Sequence, residues 1–324
     1  MFGATCAAEG DGGGTNRERW QLSIGFRKQR SHRHFVGTVE QKNREREGTE
    51  IVNDVYLWDV GLTYNFTPRT SLSVSVPIQH ATRVSPARFN AAGVETRPKQ
   101  VSHGHGIGDM SIGAKVWLLD PGREDRPRQN IAFGFGVKLP TGNEGVTDVV
   151  NGQTVVVDQS IQLGDGGFGF TLSTDMYKRL WRTTLYGSGI YLFNPRNTNG
   201  VRTGRGRASE AIMSVADQYL ARAGVIVPIP KAPGWAASFG GRIEGIPVRD
   251  AFGKSDGFRR PGYALSVEPG VSWVRSRGRE MWSASVAIPV ERNRRVSLSD
   301  MQDNRHGDAA FADYVLVLGY ARRF

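Results

Sequence analysis

Residues 310–324 read AFADYVLVLGYARRF, and this stretch decides the fold. Its large apolar side chains recur at every second position, whereas Asp313, Gly319 and Arg323 occupy the other parity. A period of two places the apolar set on one face of a β-strand. An apolar strand face at a sheet edge is a liability in water, but it suits a closed barrel that is surrounded by lipid. Phe324 is then expected in the aromatic belt at the membrane interface.

The same alternation recurs through the chain from residue 19 onward and marks about twelve strands. It is clearest in residues 70–82, where Leu72, Val74 and Val76 alternate with serines. Side chains that alternate between apolar and small or polar are typical of a barrel with a lipid-facing outside and a polar inside. The predicted fold class is therefore all-β, a single up-and-down antiparallel transmembrane β-barrel of about twelve strands.

Connections between the predicted strands alternate in length. This order is typical of a barrel with tight turns at the periplasmic end and extended loops outside, whereas a soluble sandwich has no reason to keep it. The short connections are predicted near residues 67–69, 120–128, 179–182, 230–233 and 275–279. The long ones are predicted near residues 37–50, 83–105, 141–166, 195–216, 249–261 and 291–309.

Aromatic residues collect at one end of the predicted strands. Six of the seven tryptophans, Trp117 among them, lie at strand ends beside the short turns or the N-terminus. Amphipathic rings concentrate at the boundary between membrane and water. The aromatic residues predicted at the membrane interface are Trp20, Tyr64, Phe66, Trp235, Trp273, Trp282, Tyr320 and Phe324.

Composition narrows the compartment and the partners. The chain has a net charge of +11 and one cysteine, so no disulfide framework exists. The charge is not accompanied by any nucleic-acid motif, and we predict no nucleic-acid partner. Residues 1–18 lack the apolar core of a signal peptide and are expected to form a disordered segment before a barrel of residues 19–324. The predicted location is the bacterial outer membrane.

Two sequence motifs also suggest a family. Residues 106–118 (GIGDMSIGAKVWL) and 133–142 (FGFGVKLPTG) resemble the outer-membrane barrels grouped as "MetA-pathway of phenol degradation" proteins. The resemblance implies an outer-membrane channel or transporter, with hydrophobic or aromatic molecules among its solutes. It supplies no set of binding residues.

The inward parity of the strands includes charged residues as well as Ser and Gly. Such residues must pair or be hydrated. Two interpretations remain open: a charge-lined constriction that selects solutes, or an ion-paired network that fills and braces the lumen. The predicted pore-lining residues are Asp59, Asp109, Lys115, Lys138, Asp175, Arg222, Arg242, Glu244, Glu268 and Asp313.

The long loops carry much of the positive charge and suggest lipid partners. Arginine binds phosphate in bidentate fashion, so these loops suit the phosphates of lipopolysaccharide; solvated, structureless loops are the alternative. Outer-membrane lipid, the barrel-assembly machinery at the C-terminal strand and a small-molecule solute are the predicted partners. The loop cations are Arg83, Arg88, Arg97, Lys99, Arg202, Arg205, Arg207, Arg292, Arg294 and Arg295.

Enzymatic and metal sites are weakly indicated. His80, His103 and His105 lie close in sequence, but no further ligand completes a metal site. A lipase-like barrel would need a Ser–His pair near the outer rim, and no His-x-Ser motif is present. A protease-like barrel would need paired Asp with a His–Asp there; Asp256, Asp300, Asp303 and His306 are candidates by position, but loops are normally rich in Asp. We predict no metal, no cofactor and no enzymatic activity.

The prediction is a passive outer-membrane channel or transporter for small molecules. The alternatives are a structural or adhesive barrel with a plugged lumen and, third, an outer-membrane hydrolase.

Overall fold

The structure is a computed structural model that describes residues 18–121, 127–275 and 278–324. The predicted disordered segment 1–18 lies almost wholly outside the described residues, so its boundary stays a prediction. Within the described ranges, no helix is long and apolar enough to cross a membrane.

Twelve strands form one antiparallel barrel, as predicted. The fourth is divided into two segments, β4a and β4b. The barrel strands are β1 Trp20–Val36, β2 Val52–Asn65, β3 Thr70–Ser85, β4a Gln100–Ile107, β4b Ser111–Trp117, β5 Gln129–Lys138, β6 Gly169–Leu180, β7 Thr183–Phe193, β8 Gln218–Pro228, β9 Trp235–Ile246, β10 Gly262–Arg275, β11 Glu280–Arg294 and β12 Ala309–Arg323.

Pairing of the first and last strands closes the cylinder. Ile24 of β1 lies opposite Val60 of β2 on one side and Tyr320 of β12 on the other. At the end of this seam, the Trp20 amide donates to the Phe324 carbonyl at 3.1 Å and the Phe324 amide donates to the Trp20 carbonyl at 3.0 Å. The stretch that indicated the fold therefore forms the closing strand. Twelve tilted strands about 4.8 Å apart give a backbone diameter of roughly 24 Å.

Burial follows the alternation of side chains along each strand. In β5, Phe133 and Phe135 are exposed, whereas the intervening wall positions are small and Ala132 is fully buried. Apolar side chains that are exposed on the outside of a closed barrel form the surface that lipid covers. The small residues on the inner face leave space inside the barrel.

Strand β7 is apolar on both faces, and its orientation was ambiguous from the sequence. Its register settles the question because directly opposed residues share a face. Leu172 and Phe170, on the outer face of β6, lie opposite Tyr191 and Phe193 of β7. Ile190 and Leu192 therefore point inward, and Leu192 is buried.

The connections alternate in length around the whole barrel, as predicted. The predicted boundaries of two long loops were wrong. β3 continues to Ser85 and β4a begins at Gln100, inside the expected loop 83–105, and β11 continues to Arg294, inside the expected loop 291–309. The long connections contain two short α-helices, two 3₁₀ turns and several short strands. These are α1 Asn43–Arg46, α2 Leu298–Gln302, the 3₁₀ turns Gln159–Ile161 and Ala208–Glu210, and the strands Val39–Glu40, Arg88–Phe89, Glu95–Arg97, Thr147–Val150, Gln153–Val156, Thr198–Arg202 and Ile212–Ser214.

Candidate functional site

The connection between β5 and β6, residues 139–168, folds against the inner wall of the barrel; we call it the inserted loop. Its Val157 and Ile161 are buried against Val55 of β2 and Ala81 of β3, both on the inner face. Gln79 of β3 also donates to the carbonyl of Ile161 at 3.2 Å. The lumen at the long-loop end is therefore occupied by the chain itself.

Gly104 and Asp109 hold the inserted loop against the wall of the lumen. A side chain at Gly104 would collide with the Ile161 carbonyl, so the wall must be bare there. Asp109, in the break between β4a and β4b, accepts hydrogen bonds from the amides of Gly142 at 2.9 Å and Asp165 at 3.1 Å. Lys138 bridges the Asp109 and Asp165 carboxylates. The GIGD and LPTG motifs of the sequence thus build the entry of the inserted loop.

Asp158 fixes the middle of the inserted loop. Arg260, from the β9–β10 loop, binds its carboxylate in bidentate fashion at 2.8 and 2.9 Å. Arg83 of β3 lies 3.4 Å away and Arg205, from the β7–β8 loop, lies 3.7 Å away. Burial alone would raise the pKa of Asp158, but the charges of Arg260 and Arg83 hold it well below its ordinary range. We call Asp158 with these three arginines the arginine clamp.

Several loop arginines that were predicted to face lipopolysaccharide are engaged within the protein. Arg294 is buried and binds Asp300 at 2.8 Å, and Arg205 belongs to the arginine clamp. Arg292 is also buried and donates to the carbonyl of Ala312. The prediction was made from charge alone, without the acidic partners that other loops supply. Arg88, Arg97 and Lys99 remain exposed.

A second set of ion pairs crosses the middle of the barrel. Arg27 of β1 donates to Glu244 of β9 at 3.0 Å, although three strands separate β1 from β9 along the wall. This contact therefore spans the lumen. Arg242 also donates to Glu244 at 2.7 Å. We call Arg27, Arg242 and Glu244 the luminal bridge.

Other predicted inner charges also pair, in each case across one intervening strand. Glu268 is buried and accepts two hydrogen bonds from Arg222, at 2.9 and 3.0 Å, and one from Ser285. Lys115 of β4b binds Asp175 of β6 at 2.9 Å. These contacts match the interpretation of a braced lumen more closely than that of a ring of unpaired charge.

Asp59 and Asp313 differ from the other predicted pore-lining residues. Asp59 lies on the inner face of β2 and accepts a hydrogen bond from Ser75. Asp313 lies where the β1–β12 register shifts, 3.2 Å from Arg33 and 43% exposed. The structure thus gives every predicted residue a position, and a role in lining a conducting pore stays a prediction for all of them.

Sequence reasoning missed the apolar part of the inner wall. Ile190 of β7 lies opposite Leu220 of β8 on the inner face. On the other side, Val315 and Val317 of β12 are buried against Ala287 of β11. Strict alternation was the signal, since it assigns these residues to the inner parity. They were missed because apolar residues are expected on the lipid face, so that residue type alone does not mark them as inner residues.

The predicted interface aromatics lie on the outer face at the short-turn end and contact one another across strands. Trp282 and Tyr320 have ring centroids 4.4 Å apart, and Trp20 lies 4.8 Å from Tyr64. Trp117 is an exception to the sequence prediction. It shares the inner parity of Lys115 and packs against Tyr177, which is buried. Contact of the other rings with a membrane interface stays a prediction.

Replacing Glu268 with Gln tests whether the luminal pairs brace the barrel. The change leaves the Arg222 guanidinium without a countercharge, and breaking a buried pair costs about 3–5 kcal/mol. We expect the folded band on an unboiled detergent gel to convert to the unfolded band at a clearly lower temperature. Glu280→Gln is the control, because its pair with Arg322 is 3.7 Å long and partly exposed, and such pairs contribute about 0–1 kcal/mol. Equal melting of the two variants would contradict a bracing role.

Asp308 predicts how acid affects the long-loop end. Burial alone would raise its pKa, but the hydrogen bond from His34 and the charge of Arg44 lower it to about 2. A carboxylate with a lowered pKa stabilises the fold above its ordinary pKa of 3.8, and this contribution is lost as pH falls towards 2. We therefore expect pepsin to cleave loops 37–51 and 295–308 faster as pH falls through this window. In Asp308→Asn the step should be absent; an unchanged step would refute the assignment.

A family model and several solved structures are similar to this chain. The family model described as MetA-pathway of phenol degradation matches residues 86–205, which include β4a to β7 and the inserted loop. The chain resembles this family. Among curated proteins, none matches the chain.

An outer membrane channel from Pseudomonas putida F1 shares the fold, with a TM-score of 0.61 at 12% identity over 97% of this chain and 98% of that chain. The translocator domain of autotransporter NalP from Neisseria meningitidis gives a TM-score of 0.46 at 12% identity, covering 98% and 93% of the two chains. The P. putida toluene transporter TodX gives 0.41 at 8% identity, covering 98% and 92%.

Proposed function

We propose that the protein is a channel of the bacterial outer membrane through which small uncharged molecules, hydrophobic and aromatic ones among them, pass without an energy source. The observation that carries this proposal is the mixture of paired charges and apolar side chains on the inner wall. Its charges are paired with one another, as in the luminal bridge, while apolar side chains face the lumen beside them.

Paired charges make a poor path for free ions. An ion that enters a narrow lumen loses hydration and needs replacement contacts, and ligands already held in salt bridges supply few of them. An uncharged molecule loses little hydration. It also gains contact with apolar side chains of the inner wall that are only partly buried, such as Ile190. This wall therefore favours neutral solutes over ions.

The similar fold of an outer membrane channel supports the proposal, as does the family resemblance. We further propose that outer-membrane lipid surrounds the apolar face and that residues 310–324 present the closing strand to the barrel-assembly machinery. The proposal contains no enzymatic step, cofactor or nucleic-acid partner.

Reconstitution distinguishes this function from an ion-conducting pore. In proteoliposomes, we expect uptake of an uncharged aromatic solute that crosses lipid slowly, such as phenyl β-glucoside, at a rate well above that of empty vesicles. In planar bilayers, the same preparation should show only small ionic conductance. Large steady conductance would contradict selection for neutral solutes, and absence of both activities would contradict the channel.

A structural barrel with a plugged lumen is the second candidate. The arginine clamp and the inserted loop favour it, because they fill the long-loop end. Under this alternative, neither solute nor ions would cross, even after the loop is released. The loop variants described in the Discussion therefore separate the two candidates.

A further inference from the structure

Four side chains form a continuous row across the outer wall. Lys28 of β1 lies opposite Tyr56 of β2, Tyr56 lies opposite His80 of β3, and His80 lies opposite His105 of β4a. The Lys28 ammonium is 5.5 Å from the centre of the Tyr56 ring. The rings of Tyr56 and His80, and those of His80 and His105, are each 6.3 Å apart. We call these four residues the outer row.

The outer row marks the upper boundary of the apolar surface. Two positions nearer the short-turn end, the corresponding row is entirely apolar. Two positions nearer the long loops, the corresponding row is polar and contains an arginine, an aspartate, a threonine and a histidine. The apolar row is Phe26, Trp58, Ile78 and Ile107, and the polar row is Arg30, Asp54, Thr82 and His103. In a membrane, such a boundary lies where the hydrocarbon gives way to lipid headgroups.

The lysine and the two histidines of the outer row have no acidic partner in the described part of the protein. Among the residues that the structure describes, no carboxylate lies within 4.0 Å of Lys28, His80 or His105. This differs from the arginines of the lumen and of the arginine clamp, which pair with acids. His103 in the neighbouring row does have an acidic contact, with Asp148 at 3.0 Å. The outer row therefore presents one ammonium group and two imidazole rings that are available to an anion from outside.

A metal ion is a poor occupant of this surface. Within the described part of the chain, no group of three or more His, Cys, Asp or Glu side chains is arranged to hold one. Phosphate groups fit better, since their oxygens accept hydrogen bonds from both ammonium and imidazole groups. Next to the low dielectric of the hydrocarbon, the attraction of a phosphate to the Lys28 ammonium is stronger than in water.

We propose that the outer row binds the two phosphates of a phosphorylated glycolipid in the leaflet that contacts the long-loop end. The apolar row beneath it packs against the acyl chains of the same molecule. His80 and His105, whose rings are 6.3 Å apart, share one headgroup phosphate, and Lys28 contacts the other. This site goes beyond the proposed function, because lipid binding on the outer wall does not depend on what crosses the lumen.

The test compares two variants that each remove three cationic or imidazole side chains. The first is Lys28→Gln/His80→Gln/His105→Gln. The matched control is Arg88→Gln/Arg97→Gln/Lys99→Gln, on the exposed connection between β3 and β4a. Binding of lipid A with both phosphates, and of lipid A without phosphates, is measured by native mass spectrometry of the folded barrel in detergent. Heat-modifiable migration on a gel first verifies that each variant is folded.

We expect the outer-row variant to bind phosphorylated lipid A at least tenfold more weakly than the unmodified protein, with the control variant unchanged. The unmodified protein should bind the dephosphorylated lipid as weakly as the outer-row variant does. Equal binding of the two lipids by the unmodified protein would overturn the proposal, as would undiminished binding by the outer-row variant. If the triple variant does not fold, Lys28→Gln alone is expected to weaken binding about fivefold. Unchanged binding by that single variant would also overturn the proposal.

Discussion

Replacing Asp158 with Asn is expected to raise solute flux and ionic conductance through the barrel several-fold. The carboxylate holds Arg83, Arg205 and Arg260, which come from the wall and from two other loops. Without it, three guanidinium groups face one another with no shared countercharge. Breaking a buried ion pair costs about 3–5 kcal/mol, and this cost falls on the inserted state of the loop rather than on the strand ladder. The loop then leaves the lumen more often.

Asp148→Asn is the matched control for this variant. Asp148 lies on the same inserted loop and is also an acid with a nearby base, but its partner His103 is exposed on the outer wall. Its removal leaves the arginine clamp intact and is expected to leave flux unchanged. Both variants are measured in the same proteoliposomes and planar bilayers. Normal flux in Asp158→Asn would show that the clamp does not control passage, and equal increases in both variants would show a general loosening of the loop.

Deleting Phe324 is expected to reduce the amount of folded barrel in the membrane several-fold. The deletion removes the two backbone hydrogen bonds that join Phe324 to Trp20 at the seam. Each such bond contributes about 1 kcal/mol, and the β1–β12 ladder continues through the remaining pairs from Gln21–Arg323 onward. The seam alone therefore predicts a modest loss of stability. A large loss of folded protein points to recognition of the closing strand during assembly.

Phe324→Ala separates these two contributions, because it keeps both backbone bonds and removes only the ring. Membrane levels and the temperature of gel conversion are measured for both variants. We expect Phe324→Ala to melt like the unmodified protein and still to assemble poorly. Molecules that do assemble should transport normally. Normal membrane levels of the deletion variant would contradict the assembly role of this residue.

Alternation along the chain was enough to predict the barrel, because each strand samples the boundary between lipid and lumen at every second residue. Strand count and loop order followed from that period and from the positions of the turns. Trp117 shows that residue type is a poorer guide than parity to the face of the barrel on which a side chain lies. It was grouped with the interface tryptophans, although its parity with Lys115 already placed it inside.

The arginine clamp could not be predicted from the sequence, for a different reason. Asp158 lies 75 residues from Arg83 and 102 from Arg260, and no repeating pattern connects residues in separate loops. The charged loops could therefore be recognised as basic, but not as partners of one acid. The luminal bridge is similar: alternation placed Arg242 and Glu244 inside, whereas the contact with Arg27 depends on the width of the closed barrel.

The central claim is that this barrel passes small neutral molecules and that the inserted loop governs their passage. It is tested most directly by tethering the loop with Val55→Cys and Ile161→Cys, which belong to one buried cluster, in a Cys6→Ser background. Uptake of phenyl β-glucoside, an uncharged aromatic solute that crosses lipid slowly, is measured in proteoliposomes before and after reduction of the disulfide. The account predicts little uptake in the oxidised form and several-fold faster uptake in the reduced form. Equal uptake in both forms would contradict control by the loop, and no uptake in either would contradict the channel.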